Sequence, residues 1–148
     1  MEAPKIEIQQ NKEANYRRLV RPSMMDRLKE AIVEQIVVHK RYRDGTLTAR
    51  ELARELDTNV RYISAVVRVQ FHTTYSAMVN KLRVEEAMSL LTDARYADLN
   101  VEDIGYKVGF LHRQSFHTAF LRLVGVTPNA YRTQFQNQLT SNKKTKQS

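Results

Sequence analysis

The sequence predicts an all-α fold in which two helix–turn–helix units are joined by a long connector helix. Apolar residues recur every three or four positions in short segments that glycine, asparagine or proline separate. The pair of segments at residues 48–71 is repeated at residues 100–124, at an offset of about 52 positions. Between them, residues 75–92 form a longer segment whose apolar stripe changes sides halfway along. These observations place one helical domain at residues 23–137.

The N-terminal stretch, residues 1–22, is polar and contains Pro4 and Pro22, so it is predicted to be a flexible arm or linker. Ser23 is predicted to cap the first helix, which runs to about His39. The apolar positions of this helix are Met25, Leu28, Ile32, Val33, Ile36 and Val37.

The first helix–turn–helix unit occupies residues 48–71. Thr48 and Glu51 form a capping box at the start of its first helix, and Asn59 is predicted to cap its second. The apolar stripe of the second helix consists of Ile63, Val66, Val67 and Phe71. The open face of this helix carries Arg61, Ser64, Ala65 and Arg68.

The connector helix, residues 75–92, is predicted to be capped by Thr74 and carries two apolar stripes. The first stripe consists of Tyr75, Met78, Val79 and Leu82, and the second of Val84, Ala87, Met88 and Leu91. The stripes lie on opposite sides of the helix, roughly 180° apart. This switch predicts that the first half packs on one unit and the second half on the other.

The second unit, residues 100–124, is predicted to begin with a cap at Asn100, to turn at Gly109 and to end at Gly125. Gly105 in its first helix occupies the position that Ala53 has in the first unit. Glycine costs about 1 kcal/mol relative to alanine inside a helix. Its presence therefore predicts that another helix crosses closely at this point.

The second helix of this unit has a buried side and an open side. The predicted buried side consists of Phe116, Ala119, Phe120 and Leu123. The opposite side carries Gln114, Ser115, Thr118 and Arg122, with Arg113 at the exposed start. Arginine and glutamine pair bidentately with guanine or adenine, and serine and threonine reach either base, so this face suits a DNA major groove. A solvated helix face has the same composition, so this helix alone leaves both interpretations open.

The end of the chain is predicted to form a short helix from Pro128 to about Gln136, because proline is favoured at a first helical position. Residues 138–148 are predicted to be a disordered basic tail.

The charge of the chain indicates an acidic partner. The 24 Lys and Arg residues outnumber the 16 Asp and Glu residues, which gives a formal net charge of +8 and a pI near 9.9. Such a pI is typical of nucleic-acid-binding domains, although basic proteins also bind membranes and acidic proteins. The charge thus indicates a negatively charged partner but does not distinguish between a nucleic acid, a membrane and an acidic protein.

The sequence offers no pattern of a catalytic, metal or cofactor site, so the chain is expected not to be an enzyme. It has no cysteine, and His112 and His117 are five residues apart, on opposite sides of any common helix. Glu102 and Asp103 are assigned to surface and capping positions. No apolar run is long enough to span a bilayer and no secretion signal is present, so a cytoplasmic protein is expected.

The chain resembles the DNA-binding domain of the AraC family of bacterial transcription regulators, which is homeodomain-like. The resemblance lies in LRVEEAMSLL of the connector, IGYKVGF at the second turn and FHTAFLRLVGVTPNAYR in the last helices, and it covers roughly residues 24–133. It implies seven helices, with one helix of each unit entering successive major grooves of double-stranded DNA. The base-facing residues would be Arg61, Ser64, Ala65 and Arg68 in the first unit and Arg113, Gln114, Ser115 and Thr118 in the second. RNA polymerase is a candidate second partner.

Three apolar residues depart from the family pattern: Ala65, Val69 and Leu121 stand where members often carry polar or basic side chains. They motivate an alternative, a helical protein-interaction module that keeps the fold but not specific DNA reading. Many family members also carry a sensing domain, and the chain is expected to hold no small-molecule effector domain. A stand-alone regulator and the C-terminal part of a larger sensor both remain open.

Overall fold

The computed structural model describes the backbone of residues 21–146 and the side chains of residues 21–143. This part of the chain contains seven α-helices and no strand. The helices are α1 (Pro22–Ile32), α2 (Ala49–Glu55), α3 (Val60–Phe71), α4 (Tyr75–Leu91), α5 (Val101–Lys107), α6 (Arg113–Val124) and α7 (Pro128–Lys146). The predicted N-terminal arm lies outside the described residues except for its last two positions.

The chain divides into two compact subdomains. The N-terminal subdomain contains residues 21–41 and Thr46–Val79, and the C-terminal subdomain contains Tyr42–Gly45 and residues 80–146. The chain passes from one to the other inside α4, which is the helix predicted to connect the two units. In its second half, Val84, Ala87 and Leu91 are buried in the core of the C-terminal subdomain, as the second stripe predicts.

Helix α1 begins two residues earlier than expected. Ser23 was predicted as the N-cap, but Pro22 occupies the first turn and Arg21 is the N-cap, with no side-chain capping bond. The prediction is wrong because proline suits the first helical position, where its fixed φ is helical and a missing N–H costs nothing. From Val33 to Val38 the helix continues with π-type bonding.

The π-type turn changes which residues of this segment are buried. Ile36 is buried as predicted, whereas Val37, also assigned to the apolar stripe, is exposed. Bonding from residue i to i+5 widens the turn, so later residues rotate away from the stripe of an α-helix.

Side-chain caps fix the starts of five α-helices: Thr127 caps α7 by accepting from the backbone N–H of Ala130 at 3.1 Å, and the other four caps lie at predicted positions. The capping oxygens of these four belong to Thr48, Asn59, Thr74 and Asn100, and they accept from the backbone N–H of Glu51 (3.1 Å), Tyr62 (3.0 Å), Ala77 (3.1 Å) and Asp103 (2.8 Å), respectively. Each bond satisfies a donor that would otherwise lack a partner at the helix end. The four predicted caps set the first residues of both helices of the first unit, of the connector helix and of the first helix of the second unit.

Aromatic rings in tilted and edge-to-face contact form the centre of the C-terminal core. Phe116 lies 5.3 Å from Phe110 and 5.8 Å from Phe120, measured between ring centroids, and Phe120 lies 5.7 Å from Tyr131 of α7. Phe116 and Phe120 are fully buried, as predicted. These contacts fix which side of α6 faces inwards.

Leu123 is not part of that core, although it was assigned to the buried side of α6. Its exposed fraction is 49%, and Val124 packs against the core instead. The buried stripe follows the spacing 116, 120, 124, so Leu123 falls at its edge in the last turn of the helix.

Arg132 holds the loop between α4 and α5 against α7. Its guanidinium donates to the carbonyl oxygens of Leu91 at 3.2 Å, Leu99 at 2.7 Å and Tyr96 at 3.3 Å. One side chain therefore satisfies acceptors at both ends of the loop, which fixes the start of α5 relative to α4.

The short segment Tyr42–Gly45 is held on the C-terminal subdomain by arginines. Arg83 donates from Nε to the Tyr42 carbonyl at 2.6 Å, and its guanidinium lies 5.6 Å from the Phe110 ring centroid. Arg43 pairs with Glu86, with Nε 2.7 Å from the carboxylate. This hydrogen bond raises the pKa of Arg43, while burial and the Glu86 carboxylate raise the pKa of Tyr42.

Helix α7 is longer than predicted. It starts at Pro128 as expected but continues to Lys146, whereas it was expected to end near Gln136 with a disordered tail over residues 138–148. The prediction of disorder is wrong for residues 138–146, because no glycine or proline follows Pro128 and the glutamines and lysines present favour a helix. Residues 147 and 148 lie outside the described part.

Candidate nucleic-acid interface

Helix α6 presents the predicted polar face to solvent. The exposed residues of this face are Arg113, Gln114, Ser115, Thr118 and Arg122. The helix begins at Arg113, and its N-cap His112 makes no side-chain capping bond. Its first backbone N–H groups are therefore not taken up by a capping side chain, and such groups are among those that contact DNA phosphates.

Helix α3 presents a smaller polar face than predicted. Arg61 is exposed, and Ser64 and Arg68 are partly buried, but Ala65 has no exposed surface at all. The assignment of Ala65 as a base-facing residue is therefore wrong, since a buried methyl group cannot reach a base edge. A helical wheel of α3 shows a single apolar stripe. The helix also buries side chains outside that stripe, so the wheel does not predict the burial of Ala65.

The burial of α3 also removes support for the protein-interaction alternative. That alternative depended on three apolar side chains lying on an open surface. Val69, like Ala65, is buried, and only Leu121 is exposed, at 49%. Leu121 lies three and seven residues after Thr118 and Gln114, so it extends the same exposed stripe of α6.

Most arginines of the proposed interface lack the carboxylate partners that several other arginines of the chain have. Arg41, Arg43, Arg54 and Arg95 pair with carboxylates of the chain. Within the described residues, no carboxylate lies within ion-pair distance of Arg61, Arg68 or Arg122. The positive charges of these three side chains are therefore available for phosphates.

Arg113 differs from the other interface arginines because it pairs with Glu102 of α5. Nε of Arg113 lies 3.3 Å from Oε1 of Glu102, and Nε2 of His117 lies 3.9 Å from the same oxygen. The sequence pattern assigns Glu102 to the surface and does not predict this pair. The two residues are eleven positions apart and meet only because the turn brings the two helices together, so helical spacing within either helix gives no signal.

Metal-binding clusters and membrane-spanning helices are both absent from the described residues. No group of three or more histidine or acidic side chains in this part of the chain could hold a metal ion. Among the same residues, no helix has the length and apolar content that crossing a bilayer requires.

Comparison with known proteins identifies the relatives of this chain. The family model described as "Helix-turn-helix domain" matches residues 52–134. An uncharacterized HTH-type transcriptional regulator of Bacillus subtilis, YtdP, is 32% identical over 98 residues, which are 66% of this chain and 12% of the relative. The melibiose operon regulatory protein of Escherichia coli is 26% identical over 89 residues, 60% of this chain and 28% of the relative. The chain thus spans only a small part of these relatives' length.

Solved structures give the same fold. The C-terminal domain of the response regulator yesN from Fusobacterium nucleatum has a TM-score of 0.62 and 28% identity, covering 72% of this chain and 98% of that one. The C-terminal domain of AraT, a response regulator from Geobacillus stearothermophilus, has a TM-score of 0.60 and 28% identity, covering 66% and 78%. The predicted all-α fold with an AraC-type arrangement is confirmed. The chain belongs to the AraC-type helix-turn-helix family of bacterial transcription regulators and carries its DNA-binding domain.

Proposed function

We propose that this domain regulates transcription by binding specific sequences of double-stranded DNA, with α3 and α6 entering successive major grooves. The observation that carries the proposal is the exposed surface of α6, where Gln114 and Thr118 lie opposite the buried Phe116 and Phe120 and Arg113 is exposed at the start of the helix. These side chains offer guanidinium, amide and hydroxyl groups to base edges. The net charge of +8 supports binding to a polyanion.

The two recognition helices have unequal parts in this proposal. On α6, Gln114, Ser115 and Thr118 are exposed, Arg113 is exposed but pairs with Glu102, and Arg122 is placed for a phosphate. On α3, the loss of Ala65 leaves Arg61 as the exposed reader, with Ser64 and Arg68 partly covered. We therefore expect α6 to read the more sharply defined half of the site, and α3 to contribute mainly phosphate attraction.

Selection from random duplexes, followed by titration at several salt concentrations, tests the function. We expect the selected sites to contain two preferred blocks about one helical turn, or 10 base pairs, apart, because successive major grooves on one face recur at that spacing. Affinity should fall steeply with salt as counterions are released. No enrichment of any sequence, together with a shallow salt dependence, would instead favour the protein-interaction module.

Single substitutions test the division between the helices. Arg113→Ala and Gln114→Ala should each relax preference at one or two base pairs, because a good bidentate contact gives about 1–3 kcal/mol of discrimination. Arg68→Ala should weaken binding to all duplexes similarly and lower the salt slope by about one, as expected for a lost phosphate contact. Selected-site profiles and salt titrations of the variants measure both effects.

Arg61→Ala is the matched comparison for Arg113→Ala, since each replaces an exposed arginine in the first turn of a recognition helix. A sharper loss of base preference in the Arg61 variant than in the Arg113 variant would contradict the assignment of specificity to α6.

The remaining features of the proposal concern the whole protein. We propose that the protein acts in the bacterial cytoplasm and that RNA polymerase is its second partner. We also propose that the domain at residues 23–137 binds no cofactor. The relatives are several times longer than the matched segment, so this domain is proposed to work with a further domain in such proteins.

A further inference from the structure

The pair formed by Glu102 and Arg113 joins the two helices of the second helix–turn–helix unit at the proposed DNA surface. Glu102 lies in the first turn of α5, and Arg113 is the first residue of α6. Their contact places Oε1 of the carboxylate 3.3 Å from Nε of the guanidinium. The Arg113 side chain is 67% exposed and that of Glu102 only 28%, so the carboxylate is the more fixed partner of the two.

The contact uses one edge of the guanidinium and leaves the other edge open. Arginine carries five N–H donors in a planar fork, and Nε is the donor nearest the chain. With the carboxylate beside Nε, the two Nη groups at the far end are the ones that can pair with O6 and N7 of a guanine. Attraction to this carboxylate favours orientations of Arg113 near Glu102 before binding, which reduces the rotamer freedom that Arg113 must lose on DNA.

His117 limits the position of the Glu102 carboxylate from the second turn of α6. Arg113 and His117 are four residues apart and so face the same side of the helix. Nε2 of His117 lies 3.9 Å from the same oxygen, and this nitrogen is buried without a hydrogen-bond partner in the described part of the chain. The carboxylate therefore lies between two successive turns of α6, which fixes it against the helix that carries the reading face.

We propose that Glu102 is a positioning residue that holds Arg113 in the orientation needed to read a guanine. This inference rests on the proposed function, because it assigns a base to a residue of that same surface. The proposal also predicts that Glu102 weakens binding to DNA of arbitrary sequence, since a carboxylate near the DNA surface repels phosphates. Glu102 thus raises discrimination and lowers non-specific binding.

The test compares Glu102→Ala with Asp103→Ala in the full chain. Asp103 is the next residue in the same turn, is exposed, and makes no ion pair among the described residues, so its removal changes the charge without releasing Arg113. The base pair read by Arg113 is first identified as the one at which Arg113→Ala loses preference. Binding is then measured to the selected duplex, to duplexes changed at that base pair, and to random duplex.

We expect the wild-type protein to prefer guanine at this base pair by about 5- to 150-fold, the range for a bidentate contact. Glu102→Ala should reduce that preference at least about fivefold, while binding to random duplex becomes equal or tighter. Asp103→Ala should keep the preference. In an Arg113→Ala background, Glu102→Ala should cause no further loss, as expected when one residue acts through the other.

Other outcomes would overturn the inference. These are a base other than guanine at the Arg113 position, an unchanged preference in Glu102→Ala, or an equal loss in Asp103→Ala. A loss of preference at every base pair with a lower melting temperature would show a purely structural role. In all of these cases the wild-type protein still binds specific DNA and the proposed function stands, whereas failure of the wild-type protein to select any duplex would contradict the function and the inference together.

Discussion

Leu91→Ala is expected to lower the free energy of unfolding of the C-terminal subdomain by about 2–5 kcal/mol. Leu91 ends α4, is only 4% exposed, and belongs to the core that contains Phe116 and Phe120. Truncating it removes apolar contacts and leaves a cavity between helices that the caps and the Arg132 bonds hold in place. Urea unfolding followed by far-ultraviolet circular dichroism measures the change.

Leu82→Ala is the matched control, because it removes the same atoms from the same helix. Leu82 belongs to the first predicted apolar stripe, but its side chain is only partly buried. Its truncation should therefore cost clearly less than that of Leu91. Equal losses, or a loss below about 1 kcal/mol for Leu91→Ala, would contradict the burial of α4 described above.

Local capping chemistry could be predicted from the sequence because its signals lie within a few residues. Thr48, Asn59 and Asn100 each precede a helix by one position, and the structure places a capping bond at each. The polar face of α6 was predictable for a related reason. The buried residues Phe116 and Phe120 are four positions apart and so share one side of the helix, which predicts that the polar residues on the opposite side are exposed.

Features that depend on neighbouring elements could not be predicted in this way. The burial of Ala65 and Val69 depends on what covers α3 beyond its apolar stripe, which a helical wheel does not contain. The pairing of Glu102 with Arg113 depends on the geometry of a turn. The end of α7 could not be placed from the sequence, because no glycine or proline after Pro128 marks where the helix stops.

Gly105 is the position where a sequence signal and a packing contact agree most directly. A Cβ atom added to Gly105 would lie 2.5 Å from Cδ2 and 2.8 Å from Cγ of Phe116. That ring is fully buried between Phe110 and Phe120, so it cannot move aside without disturbing both. The close helix crossing predicted from this glycine is therefore present in the structure.

Gly105→Ala is expected to destabilise the C-terminal subdomain by about 1–3 kcal/mol, the usual cost of overpacking a core. Helix propensity alone predicts the opposite sign, a gain of about 1 kcal/mol, so urea unfolding separates the two effects. The matched position in the first unit, Ala53, is 2% exposed and already carries the methyl group. The reverse change Ala53→Gly should therefore also destabilise, by about 1 kcal/mol. Stabilisation by Gly105→Ala would mean that the Phe116 ring moves aside without cost.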